Sequence, residues 1–207
     1  MKKIIVLSIA FMIIYNKTYS QNTGDIAAGA TAALALTFIA INSDKKAMAK
    51  EISQFRSKEY IINNIIGSTN GKEFKFETES LASDNSGGLI SIAFNCYDVD
   101  EKGLLLAFFG PNTDNNGNLI DAYGFRYIPL KKAQELFLRI DKLQENNKKY
   151  LSSDTNVNNV YIEFEDIKFL IYNDGGEQIR VFWNGFQVIW EKAPFDRSKR
   201  RLDKWFE

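Results

Sequence analysis

The chain has 207 residues, with 26 basic and 26 acidic side chains, no histidine and a single cysteine, Cys96. Balanced charge lacks the basic footprint of a nucleic-acid binder. The missing imidazole removes His-based triads and most zinc sites, and one cysteine leaves no intrachain disulfide.

The first segment, residues 1–20, has the three parts of a secretion leader: Lys2 and Lys3, an apolar run from Ile4 to Tyr15 broken by Ser8, and a polar exit. Twelve apolar residues rise about 18 Å as a helix, against roughly 30 Å of hydrocarbon, which favours a cleaved address over a retained anchor. Cleavage is expected after Ser20. Loss of Lys2, Lys3 and Lys17 leaves 23 basic against 26 acidic residues, a net charge of −3. The expected destination is the periplasm or cell envelope, with possible membrane association and no role for nucleic acid.

A second apolar segment spans residues 21–44, with its core from Ile26 to Ile41. Sixteen residues reach about 24 Å as a helix, short of the roughly 20 residues that a span requires. Small residues recur at helical spacing, Ala28 with Ala32 and Gly29 with Ala33, so one face admits a second backbone. A helix buried in the protein's core or an oligomer is favoured over a membrane-inserted helix and over a spacer. Gly29 and Ala33 are the expected helix contacts, for self-association or for an unidentified protein partner.

Residues 45–207 read as a single α+β domain. From Lys45 to Ile66, Met48, Ile52, Phe55, Ile62 and Ile66 recur at helical steps, and Gly67 ends the run. From Glu73 the period becomes two, with Phe74, Phe76 and Thr78 alternating with charged residues. Turn residues then separate strands at Leu89 to Asp98, Leu104 to Gly110 and Leu119 to Ile128. Pro129 opens a helix with Ala133, Leu136, Phe137, Ile140 and Leu143 on its apolar face. One strand from Val160 to Tyr172 comes next, then Gln178 to Trp183 and Phe186 to Glu191 around the hairpin signal Asn184-Gly185. Asp196 is the expected cap of a last helix ending at Phe206. The fold class is therefore α+β: a mainly antiparallel meander sheet of about seven strands packed with one or two helices, preceded by the N-terminal apolar helix.

No catalytic constellation or cofactor motif emerges. Cys96 shares a strand face with Ile90, Ile92 and Phe94 and reads as a small buried hydrophobe. Glu163 and Glu165 alternate with Ile162 and Phe164, which assigns both to the wet face of a strand beside Asp166. The stretch Asn112 to Asp121 resembles a calcium loop in part, with Asn112, Asp114 and Asn116 at its first, third and fifth places and Gly117 at the sixth. Tyr123 occupies the twelfth place, where a bidentate Glu is needed, so metal ligation is a weak expectation. Arg197, Arg200, Arg201, Lys204 and Trp205 give the last helix a basic and aromatic side that suits membrane or partner contact, although Leu202 and Phe206 on the sheet with cations in water is the plainer reading. The chain thus reads as a non-enzymatic binding or assembly module. A carboxylate-dependent exported hydrolase and a small-ligand or calcium-binding module are the alternatives.

Overall fold

The computed structural model describes residues 46–82, 87–110, 112, 122–152 and 157–207. The apolar segment at residues 21–44, with Gly29 and Ala33, lies outside them. Among the described residues no helix is long and apolar enough to cross a membrane.

Helix α1 covers residues 46–66, where α-helical Ser57–Ile61 is flanked by π-helical turns at Ile52–Arg56 and Ile62–Ile66. Gly67 ends it at φ 68°, donating its N–H to the Ile62 carbonyl at 2.9 Å. The buried stripe is Ala49, Ile52 and Ile61, whereas Phe55 and Ile62, expected on that stripe, are 62% and 46% exposed. A π turn closes its bond one residue later than an α turn and rotates the residues beyond it relative to a 3.6-residue wheel. The helix exists as its sequence period implies; its face is turned.

Sheet 1 contains β1 (Phe76–Ser80), β2 (Leu89–Cys96), β3 (Glu101–Phe109) and β4 (Tyr123–Pro129), antiparallel in that order. The nearly unbroken apolar runs of β2 and β3 are those of strands covered on both faces. One face, with Ile90, Ile92, Phe94, Cys96, Leu105, Ala107 and Phe109, packs under α1. The other, with Leu104, Leu106, Phe108 and Ile128, joins the main core. Pro129 stands at the N-cap of α2 (Leu130–Asn146), which buries Ala133, Leu136, Phe137 and Ile140.

Sheet 2 contains β5 (Asn159–Phe164), β6 (Ile167–Asn173), β7 (Glu177–Trp183) and β8 (Phe186–Glu191), again an antiparallel meander. Its inner face contributes Phe169, Ile171, Val181, Phe186 and Trp190 to the core shared with α2 and with α3 (Lys192–Phe206). Trp190, Phe137 and Phe195 form a ring cluster with centroids 5.1–5.5 Å apart. Asn184 and Gly185 have φ of 45° and 82°, as the tight hairpin demands.

The α+β class with antiparallel meanders holds, and the single sheet of about seven strands is corrected to two sheets of four. The expected strand from Val160 to Tyr172 is two strands joined at Glu165–Asp166. No Gly, Pro or Asn announces that turn, and Glu165 takes φ 54° without the side chain that normally tolerates it. Glu165 is consequently a turn residue, while Glu163 stands exposed on the strand. The last helix begins at Lys192, ahead of the expected cap, and Asp196 instead pairs with Lys192 at 2.9 Å one turn later.

The two sheets are stitched by backbone at the β2–β8 junction. Ile189 donates its N–H to the Gly87 carbonyl at 2.9 Å, while the next residue, Gly88, accepts from Phe109 of β3 at 2.8 Å within sheet 1. A Cβ on Gly87 would stand 1.9 Å from the Ile189 carbonyl oxygen, so only glycine permits this approach.

Candidate functional site: the open edge of the first sheet

Sheet 1 ends in two edges, β1 and β4, with different surroundings. Strand β1 pairs with β2 through its odd residues: Leu81 donates to the Ser91 carbonyl at 2.9 Å, and Tyr97 donates to the Lys75 carbonyl at 3.2 Å. Because antiparallel bonding alternates along a strand, the N–H and C=O groups of Phe76, Thr78 and Ser80 point away from β2. No strand pairs with that side among the described residues. Arg201 Nη1 lies 3.4 Å from the Ser80 carbonyl and marks the C-terminal limit of the open ladder.

The edge is recessed rather than flat. Lys58 of α1, Phe76, Glu77, Thr78, Glu79 and Trp205 of α3 line a groove of about 440 Å³ along it. Phe76 packs towards α1, and Trp205 packs on the main core, so the helices covering opposite faces of sheet 1 form the two lips. Side chains alternate across the strand. Glu77 and Glu79 therefore share the Trp205 lip with the buried Leu81, while Phe76 and Thr78 share the Lys58 lip. Tyr97 donates its hydroxyl to Glu77 Oε2 at 2.8 Å, which raises the phenol's pKa and fixes the carboxylate. Glu79 has no ion pair among the described residues and stays exposed.

Strand β4 is tied to the second sheet through its side chains. Arg126 donates from Nη2 to Glu165 Oε2 at 2.6 Å and from Nε to Asp166 Oδ1 at 2.7 Å. Lys132 at the start of α2 also pairs with Glu165, and the Trp183 indole donates to Asp166 Oδ2 at 2.9 Å. The Lys132 hydrogen bond leads in lowering the Glu165 pKa against the opposing effect of burial. For Asp166 burial raises the pKa, yet the hydrogen bonds from Arg126 and Trp183 outweigh it and the net direction is down. Gly124 permits a close approach there: a Cβ would lie 3.0 Å from both the Trp183 and Phe186 rings, which rest on Phe108.

A second depression, about 290 Å³, borders the β7–β8 hairpin and is lined by Asp166, Lys168, Trp183 and Gln187 among others. Beside that hairpin Asn112 is buried, its Nδ2 directed at the Asn184 carbonyl at 3.4 Å. Asn112 is the one residue of the calcium-loop reading among the described residues; Asp114 and Asn116 lie outside them. Of the basic and aromatic group on α3, Arg200, Arg201 and Lys204 are exposed and Arg197 and Trp205 half-buried, with Leu202 fully buried in the core. Trp205 alone of this group lines the groove, and Arg201 reaches its end. Cys96 is 1% exposed, and burial, aided by Glu101, pushes its thiol pKa up to about 11, so thiolate chemistry is suppressed.

Reading residues in order misses Lys58, Phe76, Glu77, Thr78 and Glu79 as a group. The available signal is Glu77-Thr78-Glu79, a short strand with charges on one side, as edge strands carry. Comparison of the chain with protein-family models, curated proteins and solved structures finds no match.

Proposed function

We propose that this chain is an exported, non-enzymatic binding module of the cell envelope that takes an extended peptide segment along the outer edge of β1. The observation that carries the reading is the row of outward N–H and C=O groups at Phe76, Thr78 and Ser80, recessed between Lys58 and Trp205. An added strand satisfies such groups, and flanking side chains give it register and specificity. The leader-like residues 1–20 supply the address, and residues 21–44 supply the link to membrane or oligomer.

A proline at Thr78 tests the reading without dismantling the fold. The Thr78 N–H faces away from β2, so Thr78→Pro leaves the β1–β2 ladder intact and removes a donor only from the open side. Stability should change by less than about 1 kcal/mol in urea denaturation, while binding of extended peptides, followed by calorimetry, is lost. Undiminished peptide binding by a folded Thr78→Pro chain would sink the proposal. Fractionation of cells expressing the full chain checks the address, with recovery in the envelope expected and exclusive cytoplasmic recovery of unprocessed protein contradicting it.

A further inference from the structure

Resting on that reading of the β1 edge, we infer that its occupant is a basic strand: an extended segment with Lys or Arg at alternate positions, facing Glu77, Glu79 and Trp205, and uncharged residues between them. A strand added to β1 sets every second side chain directly beside Glu77 and Glu79, at the spacing where opposite charges attract across a sheet. Both carboxylates are exposed, and Glu77 is held in place by the Tyr97 hydroxyl. Trp205 lies on the same lip, and an indole face attracts a cation, guanidinium above all. Of the cations around this lip, Lys102 Nζ lies over the Phe206 ring at 5.9 Å and Arg201 is turned to the Ser80 carbonyl, while exposed Lys75 stands one step before Glu77 on the same side of the strand. Intervening side chains of the added strand meet Phe76, Thr78 and Lys58, where a further cation is repelled and a β-branched or aromatic residue packs.

In the register centred on Thr78, charge argues against a second copy of this chain as the occupant. An antiparallel pair of β1 strands centred on Thr78 sets Glu77 of one copy against Glu79 of the other, twice. Centring the pair on Glu77 or on Glu79 brings that carboxylate against its own counterpart. Like charges directly opposite one another destabilise a sheet, which disfavours the Thr78-centred pair most, since the Glu77-centred pair also sets Lys75 of each copy against Glu79 of the other.

The test uses the full chain and three blocked eight-residue peptides that alternate Thr with Lys, with Glu, or with Gln. The Lys peptide should bind about tenfold more tightly than the Gln peptide in calorimetry, and the Glu peptide should not bind. Binding of the Lys peptide should slow hydrogen exchange at the Phe76, Thr78 and Ser80 amides and weaken as salt is raised. The double charge reversal Glu77→Lys with Glu79→Lys, both at exposed positions, should keep its melting temperature and invert the preference to the Glu peptide. Equal binding of all three peptides, with protection at those amides, would overturn the charge rule and leave the edge site standing. Absence of protection at those amides with every peptide would overturn the edge site itself. Lys-peptide binding that survives the charge reversal would place the basic ligand elsewhere and overturn this inference.

Discussion

The two edges of sheet 1 carry similar backbone and opposite surroundings. At β4, Arg126 is held by Glu165 and Asp166 across the β5–β6 turn, and Trp183 and Phe186 lie against Gly124. At β1, peptide groups that no strand among the described residues pairs stand in a groove with a cation on one lip and carboxylates with an indole on the other. A free edge is a pairing hazard, and a fold manages it by covering it or by charging it. This chain ties β4 to its second sheet through side chains and charges β1. The tied strand should therefore govern stability and the charged one recognition, with little exchange between the two roles.

The strongest way to break that division is to remove Phe108, fully buried beneath Trp183 and Phe186. Phe108→Ala should cost about 3–5 kcal/mol in urea denaturation, through lost transfer energy and the cavity left behind. A loss below about 1 kcal/mol would mean that the packing of sheet 1 against Trp183 and Phe186 contributes little.

Next comes the ion cluster. Arg126→Ala leaves Glu165 and Asp166 without their shared partner and should cost about 1 kcal/mol, modest because all three side chains keep contact with water. The Glu165 pKa is lowered in the fold, so its contribution is present above the unfolded carboxylate value and is lost as pH falls through the folded one. Melting temperature tracked from pH 7 into acid should consequently fall less steeply in Glu165→Gln than in the parent chain. Parallel curves would show that the pairing at this turn carries no net stability.

The smallest effect sharpens the comparison at a site remote from both edges. Glu177 at the start of β7 is half-buried, and burial leads in raising its pKa, with Asp196 and Asp141 adding to it and Lys192 opposing. A raised carboxyl favours the fold below the unfolded pKa and loses that contribution as pH rises through the folded value. Glu177→Gln should thus raise the melting temperature slightly at pH 7, by less than about 1 kcal/mol in stability, with the gain vanishing in acid. A drop at neutral pH would show instead that the charge is needed by Lys192.

Much of the local structure is legible in residue order. The period of Ala133, Leu136, Phe137 and Ile140 marks α2, Asn184-Gly185 marks its hairpin, and Gly67 marks the end of α1. The break at Glu165 is not legible, because that residue is held at positive φ by partners 39 and 33 positions away in Arg126 and Lys132. The rotated face of α1 is hidden because a helical wheel assumes a constant pitch, which its π turns at Ile52–Arg56 and Ile62–Ile66 break. At the candidate site only Trp205 stands out in the sequence, since Lys58, Glu77 and Glu79 become neighbours of it only when α1 and α3 close on opposite faces of one sheet.

The sequence by itself determined the α+β class, the antiparallel meanders and the burial of Cys96, all of which arise from period, turn chemistry and apolar content within short windows. Tertiary structure alone decided that there are two sheets and which edge strand is tied to the other sheet. Those outcomes depend on long-range pairings such as Arg126 with Asp166 and Gly87 with Ile189, whose energies act only once distant segments have met.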